Sequence, residues 1–110
     1  IYHGVWMDEQ DMEILQRRKL FVVTNPSSNI KLASGIAPIK SYLDRKIRVA
    51  IGTDGPASNN CLDMFREMYL VSTLSKYKEN DPSIKIYEIT NNGNITIGQN
   101  PKENIILKKL

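Results

Sequence analysis

The sequence predicts an α/β chain, a partial (β/α)8 barrel of the TIM type with parallel strands inside and helices outside. Three observations lead there. Short apolar runs rich in β-formers alternate with helix-like stretches. Each run ends in a polar segment: His3-Gly4, Asn25-Pro26-Ser27-Ser28-Asn29, and Gly52-Thr53-Asp54-Gly55-Pro56-Ala57-Ser58-Asn59-Asn60. Residues just beyond the carboxyl ends of the strands form the active site of such a barrel. The third observation is length: 110 residues allow only part of a barrel, since a complete one needs about 250.

The elements follow in order. Ile1-Tyr2-His3 reads as the end of a strand whose start is missing. Residues 8–18 predict a helix with Asp8 as its cap, Glu9 and Asp11 in its first turn, and Met12, Leu15 and Ile14 as its apolar stripe. Leu20-Phe21-Val22-Val23 is continuous and apolar, the pattern of a parallel strand buried on both faces. Asn25-Pro26 stops it, and residues 25–37 read as a long polar loop. Pro38 suits the first turn of a helix reaching about Arg45, with Ile39, Tyr42 and Leu43 inward. Residues 47–51 give a second buried-strand pattern, ended by Gly52. Ser58, Asn59 and Asn60 are cap candidates for a longer helix to about Lys76, with Leu62, Phe65, Tyr69 and Met68 as its apolar stripe.

Residues 1–76 therefore form the α/β segment, and the character changes afterwards. Residues 77–110 contain Asn80-Asp81-Pro82, Asn91-Asn92-Gly93-Asn94 and Asn100-Pro101, all breaker signals. They read as a degenerate or truncated tail, or as short strands over 84–89 and 94–97 joined at Asn92-Gly93.

Composition narrows the class without choosing a function. Hydrophobic content of 41% and charged content of 25% are those of a globular chain. The net charge of +3 is scattered. Its densest cluster, Arg17-Arg18-Lys19, falls where a helix dipole favours cations, so no nucleic-acid partner is expected. No apolar run approaches a membrane span and no signal peptide is visible, so no membrane partner is expected either. Cys61 is the single cysteine, which suits a reducing, cytoplasmic setting. Its position after Asn59-Asn60 suggests a helix N-terminus, although packing explains it as well.

Two residues carry the chemistry. Asp54 follows the 47–51 strand directly, so its carboxylate belongs at the mouth of the sheet. There it can bind a hard or borderline cation and accept a proton from water, or simply cap the next turn. His3 stands at a strand end in the same way. A neutral imidazole there can bind metal, orient water or substrate, or be structural. His3 is the only histidine. A catalytic zinc needs about three protein ligands plus water, more than His3 and Asp54 supply. Asn25, Ser27, Ser28 and Asn29 can bond a polar substrate or brace their own loop.

Three strings together resemble the amidohydrolase superfamily: His3-Gly4-Val5-Trp6-Met7-Asp8-Glu9, the Asn-Pro-Ser-Ser-Asn-x-Lys-Leu-Ala-Ser-Gly run from Asn25, and the Gly-Thr-Asp-Gly-x-Ala-Ser-Asn-Asn run from Gly52. Within it they are most similar to the 5-methylthioadenosine/S-adenosylhomocysteine deaminases and the triazine chlorohydrolases, over residues 1–76. The resemblance implies the last three β/α units of a metal-dependent hydrolase barrel. It implies one divalent metal, zinc foremost, with iron, manganese or nickel as alternatives. His3 then matches a histidine that positions substrate or attacking water. Asp54 matches an aspartate that is at once metal ligand, substrate contact and proton handler. The family's two-histidine motif, its further histidine ligand and its proton-donating glutamate have no counterpart in this chain. The implied function is a fragment of an aminohydrolase acting on a purine nucleoside, inactive alone, with a missing N-terminal half or another copy as partner. Alternatives are a non-catalytic or decayed α/β fragment, or part of a split amidohydrolase acting on a chlorotriazine or guanine.

Overall fold

In the computed structural model of the chain, the described residues are 1–84, together with the strand pairing of Thr96–Ile97 and Ile105–Ile106. Helix α1 spans Glu9–Arg17. Asp8 caps it through a reciprocal pair: its carboxylate accepts from the Asp11 amide at 2.9 Å, and the Asp11 carboxylate accepts from the Asp8 amide at 3.1 Å. Met12 and Leu15 face the core, as their spacing predicts, while Ile14 is exposed.

Strand β1, Phe21–Thr24, pairs parallel with β2, Arg48–Ile51, in the register Val22 to Val49 and Thr24 to Ile51. On its other edge, the Val23 amide donates to Ile1 and its carbonyl accepts from His3, both at 2.7 Å. The first residues are thus the expected strand end, bridged at Tyr2 to Val23. Strand β3, Thr96–Ile97, adds parallel to β2 at Ile51, and β4, Ile105–Ile106, adds antiparallel to β3. The strand order is β1-β2-β3-β4. The expected strand over 84–89, past Ile84, and the Asn92-Gly93 hairpin lie outside the described residues.

Burial on both faces holds towards the carboxyl ends of the strands and fails at their amino ends, which is the first correction. Val22, Thr24, Val49 and Ile51 are buried on one face; on the other, Ala50 is buried and Val23 half-buried, while Phe21 and Arg48 are exposed. Side chains alternate across a sheet, and among the described residues the helices cover the face of Val22 and Val49. On the other face the Arg48 guanidinium stands over the Phe21 ring, 5.5 Å from its centroid, a cation–π contact.

The second correction concerns residues 25–37. Helix α2, Pro26–Lys31, replaces the start of the expected loop. Pro26 is its first residue, where a missing amide hydrogen costs nothing and the ring presets φ. Helix α3, Ile39–Asp44, lies where Pro38 predicts it, with Ile39 and Tyr42 buried.

Helix α4, Met64–Glu79, differs from expectation in start, cap and face. It begins beyond Ser58, Asn59, Asn60 and Cys61. Asp63 caps it, accepting from the Phe65 and Arg66 amides. It ends three residues past Lys76, with Asn80 left-handed at its C-terminus. Its buried residues are Glu67, Val71, Ser72 and Ser75. Leu62, Phe65 and Tyr69, expected inward, are exposed, and Met68 is partly buried. The row 67, 71, 75, with Ser72 beside it, is the face turned inward. The 65, 69 row then points outward.

Tyr42 fastens the N-terminal segment to this core. Its hydroxyl is fully buried and donates to the Gly4 carbonyl. Gly4 must be glycine: φ is +59°, and a Cβ would sit 2.6 Å from Val22 Cγ1. Burial, and then the Asp11 charge, push the Tyr42 hydroxyl up to about 12 from 10.0. The neutral form is favoured by folding. Its contribution is therefore complete below pH about 10 and is lost as pH rises towards about 12. Tyr42→Phe leaves the Gly4 carbonyl unpaired and should cost about 1–3 kcal/mol. Urea unfolding at pH 8 should show the midpoint fall at constant slope. Repeated through alkaline pH, the variant should lack the Tyr42 part of the stability decline. An unchanged midpoint would contradict this role.

Candidate active site

Parallel strands bring the segments after Tyr2, β1 and β2 to one edge of the sheet, where both chemical residues sit. Asp54 is reached from β2 through Gly52 and Thr53. Gly52 is needed there, because a Cβ would lie 2.5 Å from the Asn25 side-chain oxygen. His3 and Asp54 have φ of +64° and +60°. Left-handed backbone is uncommon for such residues and costs on the order of 1–3 kcal/mol where it is strained. Lys19, Ala33, Lys46 and Asn80 share this backbone region, so it does not single out the site.

His3 Nε2 lies 3.8 Å from Asp54 Oδ2. Both side chains remain accessible, at 42% and 33%. His3 Nδ1 is 2.8 Å from Asn29 Oδ1. A carbonyl oxygen only accepts, so Nδ1 carries the proton and Nε2 is turned towards Asp54. The Asn25 amide group stands 3.4 Å from the same Nδ1 and packs beside it.

Asp54 Oδ2 accepts two short hydroxyl bonds, from Ser28 and Ser58, each 2.7 Å. These two bonds, Ser28 first, hold the Asp54 carboxyl below its ordinary 3.8 against the opposing effect of burial. The Gly55 backbone and His3 act in the same direction as the hydroxyls. Ser28 is fully buried, and Asn25, Ser27 and Asn29 are nearly so. Neither sequence reading describes Ser28 and Asn29: their side chains bond Asp54 and His3, which lie on other segments, rather than their own loop.

Ser58 and Asn59 do not cap α4. Ser58 turns back to Asp54, and the Asn59 side chain donates to the Thr53 carbonyl at 2.9 Å and to Glu67 at 2.8 Å. The Cys61 amide donates to Asn59 Oδ1 at 3.0 Å, so Cys61 lies in the approach to the helix. Glu67, absent from the sequence-based candidates, is fully buried and also accepts from the Ser27 amide at 3.0 Å. The one available signal was an acidic residue a turn into a helix; its partner 40 positions away carried none.

The donors fit part of a divalent-metal shell, one carboxylate with one imidazole beside it. They do not complete one: among the described residues no three His, Cys, Asp or Glu side chains gather to hold an ion. No described helix is long and apolar enough to cross a membrane.

The pattern of the amidohydrolase family matches residues 1–100, and the chain belongs to that family. It is 52% identical over 80 residues to a 5-methylthioadenosine/S-adenosylhomocysteine deaminase of Dictyoglomus thermophilum, covering 73% of this chain and 19% of the relative. It is 54% identical over 74 residues to a 5'-deoxyadenosine deaminase of Methanosphaera stadtmanae, covering 67% and 17%. An adenosine deaminase from Xanthomonas campestris, solved with bound zinc, superimposes with a TM-score of 0.72 at 40% identity, over 76% of this chain and 19% of that one. The fold is thus TIM-barrel-like, and the chain spans about a fifth of the length of these relatives.

Removing a hydroxyl donor should raise the Asp54 pKa. Ser28→Ala and Ser58→Ala are each expected to move it towards 3.8, and the double variant further. Because the folded value is depressed, Asp54 stabilises the fold above the unfolded pKa, and this is lost as pH falls through the folded one. The variants should therefore lose less stability on acidification. NMR titration of the Asp54 carboxyl carbon reads the shift; identical curves in all four proteins would refute the assignment.

Proposed function

We propose that this chain is the segment of a hydrolytic deaminase that carries its last three β/α units, 1–76, followed by a tail, 77–110. The observation carrying this reading is the convergence of His3 and Asp54 at the carboxyl edge of a parallel sheet, in a chain of the amidohydrolase family. The substrate proposed is a purine nucleoside such as 5-methylthioadenosine or S-adenosylhomocysteine; the named activities of the relatives support that class.

The reaction replaces a ring amino group by oxygen: water adds to the amino-bearing carbon, the C–N bond breaks and ammonia leaves. Asp54, acidic and therefore ionised at neutral pH, accepts a proton from the attacking water and passes it to the departing amino group, which leaves as ammonia. His3, with Nδ1 tied to Asn29, presents Nε2 to orient that water or the substrate. Ser28 and Ser58 keep the carboxylate aimed. In this reading Asp54 is also one ligand of a divalent metal, zinc first among candidates, with other ligands from outside the described residues. Such an ion would supply Lewis acidity. The zinc in the Xanthomonas campestris structure supports the choice.

The test grafts residues 1–76 in place of the matching segment of an active deaminase. The chimera should release ammonia from methylthioadenosine, while the 110-residue chain alone should not. Asp54→Asn in the chimera should lower kcat by about 100-fold to 10,000-fold and reduce bound metal. His3→Asn should lower kcat with less effect on metal content. Near-normal turnover in Asp54→Asn would sink the catalytic assignment.

A further inference from the structure

We propose that Glu67 is a positioning residue for Asp54, acting through Ser27 and Asn59 on the two segments that aim its carboxylate. The inference rests on the reading of Asp54 as the proton acceptor. The two hydrogen bonds of Glu67 go to neither His3 nor Asp54. Its carboxylate spans two segments instead. Oε2 accepts from the Ser27 amide at 3.0 Å, and Oε1 accepts from the Asn59 side chain at 2.8 Å.

Each arm stops one residue from a group that holds the site. Ser27 precedes Ser28, whose hydroxyl bonds Asp54. Asn59 follows Ser58, whose hydroxyl bonds the same oxygen. Asn59 also donates to the carbonyl of Thr53, the residue before Asp54. One buried side chain therefore fixes the α2 segment against the 53–59 loop, and with it the separation of the two donors. The Lys31 ammonium makes a second, exposed tie between these segments, to the Asn60 side chain and, at 3.4 Å, to the Ala57 carbonyl.

A packing role alone does not explain the residue. Val71, one turn along the same buried row, shows what that row accepts. A buried carboxylate loses hydration, and its hydrogen bonds largely offset that loss without a large net gain. Its consequence is geometric: two segments joined by long sequence separation acquire a fixed register.

Glu67→Gln keeps the volume and turns one acceptor oxygen into a donor, so it breaks one arm. The measurement is made in the chimera that carries residues 1–76. The first readout is the Asp54 carboxyl-carbon NMR signal at pH 7, which reports its hydrogen bonds. It should move, and Val71→Ala, with a comparable loss of thermal stability, should leave it in place. The second readout is turnover: kcat should fall about tenfold to a hundredfold, as for a small misplacement of a reacting group, with KM nearly unchanged. If Glu67→Gln fails to fold, Asn59→Ala removes that arm together with the bonds to the Thr53 carbonyl and the Cys61 amide, and should shift the Asp54 signal in its place. A signal that moves no further in either variant than in Val71→Ala overturns the proposal. If the chimera without these substitutions releases no ammonia from nucleosides, the functional reading fails, while the carbon signal still decides whether Glu67 positions Asp54.

Discussion

Parallel pairing between β1 and β2 is the constraint on which the candidate site depends. With Thr24 opposite Ile51, the chain leaves both strands at one edge of the sheet, and the segments beginning at Asn25 and Gly52 emerge side by side. The Tyr2–Val23 bridge brings His3 to the same edge. An antiparallel neighbour would have sent one segment to the opposite end, some four residues of strand away, or roughly 13 Å. The direction of the strands, rather than any contact between His3 and Asp54, makes the cluster possible.

What then shapes the cluster is the need to satisfy buried polar groups. Ser28, Asn29, Asn59 and Glu67 are taken from water at the join between α2, α4 and the loop after β2. Each finds a partner there. The result is a polar layer between the apolar core and the accessible carboxylate. Unpaired, any one of these groups would cost about 1–3 kcal/mol, so the layer has few alternative arrangements. Left-handed backbone at His3 and Asp54 is tolerated because the surrounding bonds leave those residues little choice.

The two faces of the sheet differ in kind. Helices cover Val22, Val49 and Ile51, whereas Phe21 and Arg48 face away from them and stack on each other. In a barrel, strand residues alternate between the helix layer and the barrel interior. Phe21 and Arg48 occupy the second position. The outward row of α4, with Phe65, Tyr69 and Tyr77 exposed, is a further apolar surface uncovered by the described residues.

The sequence by itself determined the alternation of strands and helices, the Asp8 cap, the inward faces of α1 and α3, and the strand-end placement of His3 and Asp54. All of these rest on local chemistry: side-chain periodicity, capping groups, proline geometry, and apolar runs bounded by polar breaks. Only the tertiary structure decided the rest. Local pattern offered Phe65 and Tyr69 as the inner row of α4 and Ser58 to Asn60 as its cap. Packing chose Glu67, Val71 and Ser75 inward and left Ser58 and Asn59 to bond Asp54 and Glu67. The same two carboxylates also accept from the Ser28 hydroxyl and the Ser27 amide, 26 and 40 residues away. Hydrogen bonds over such separations depend on how whole elements dock, which no window of sequence contains.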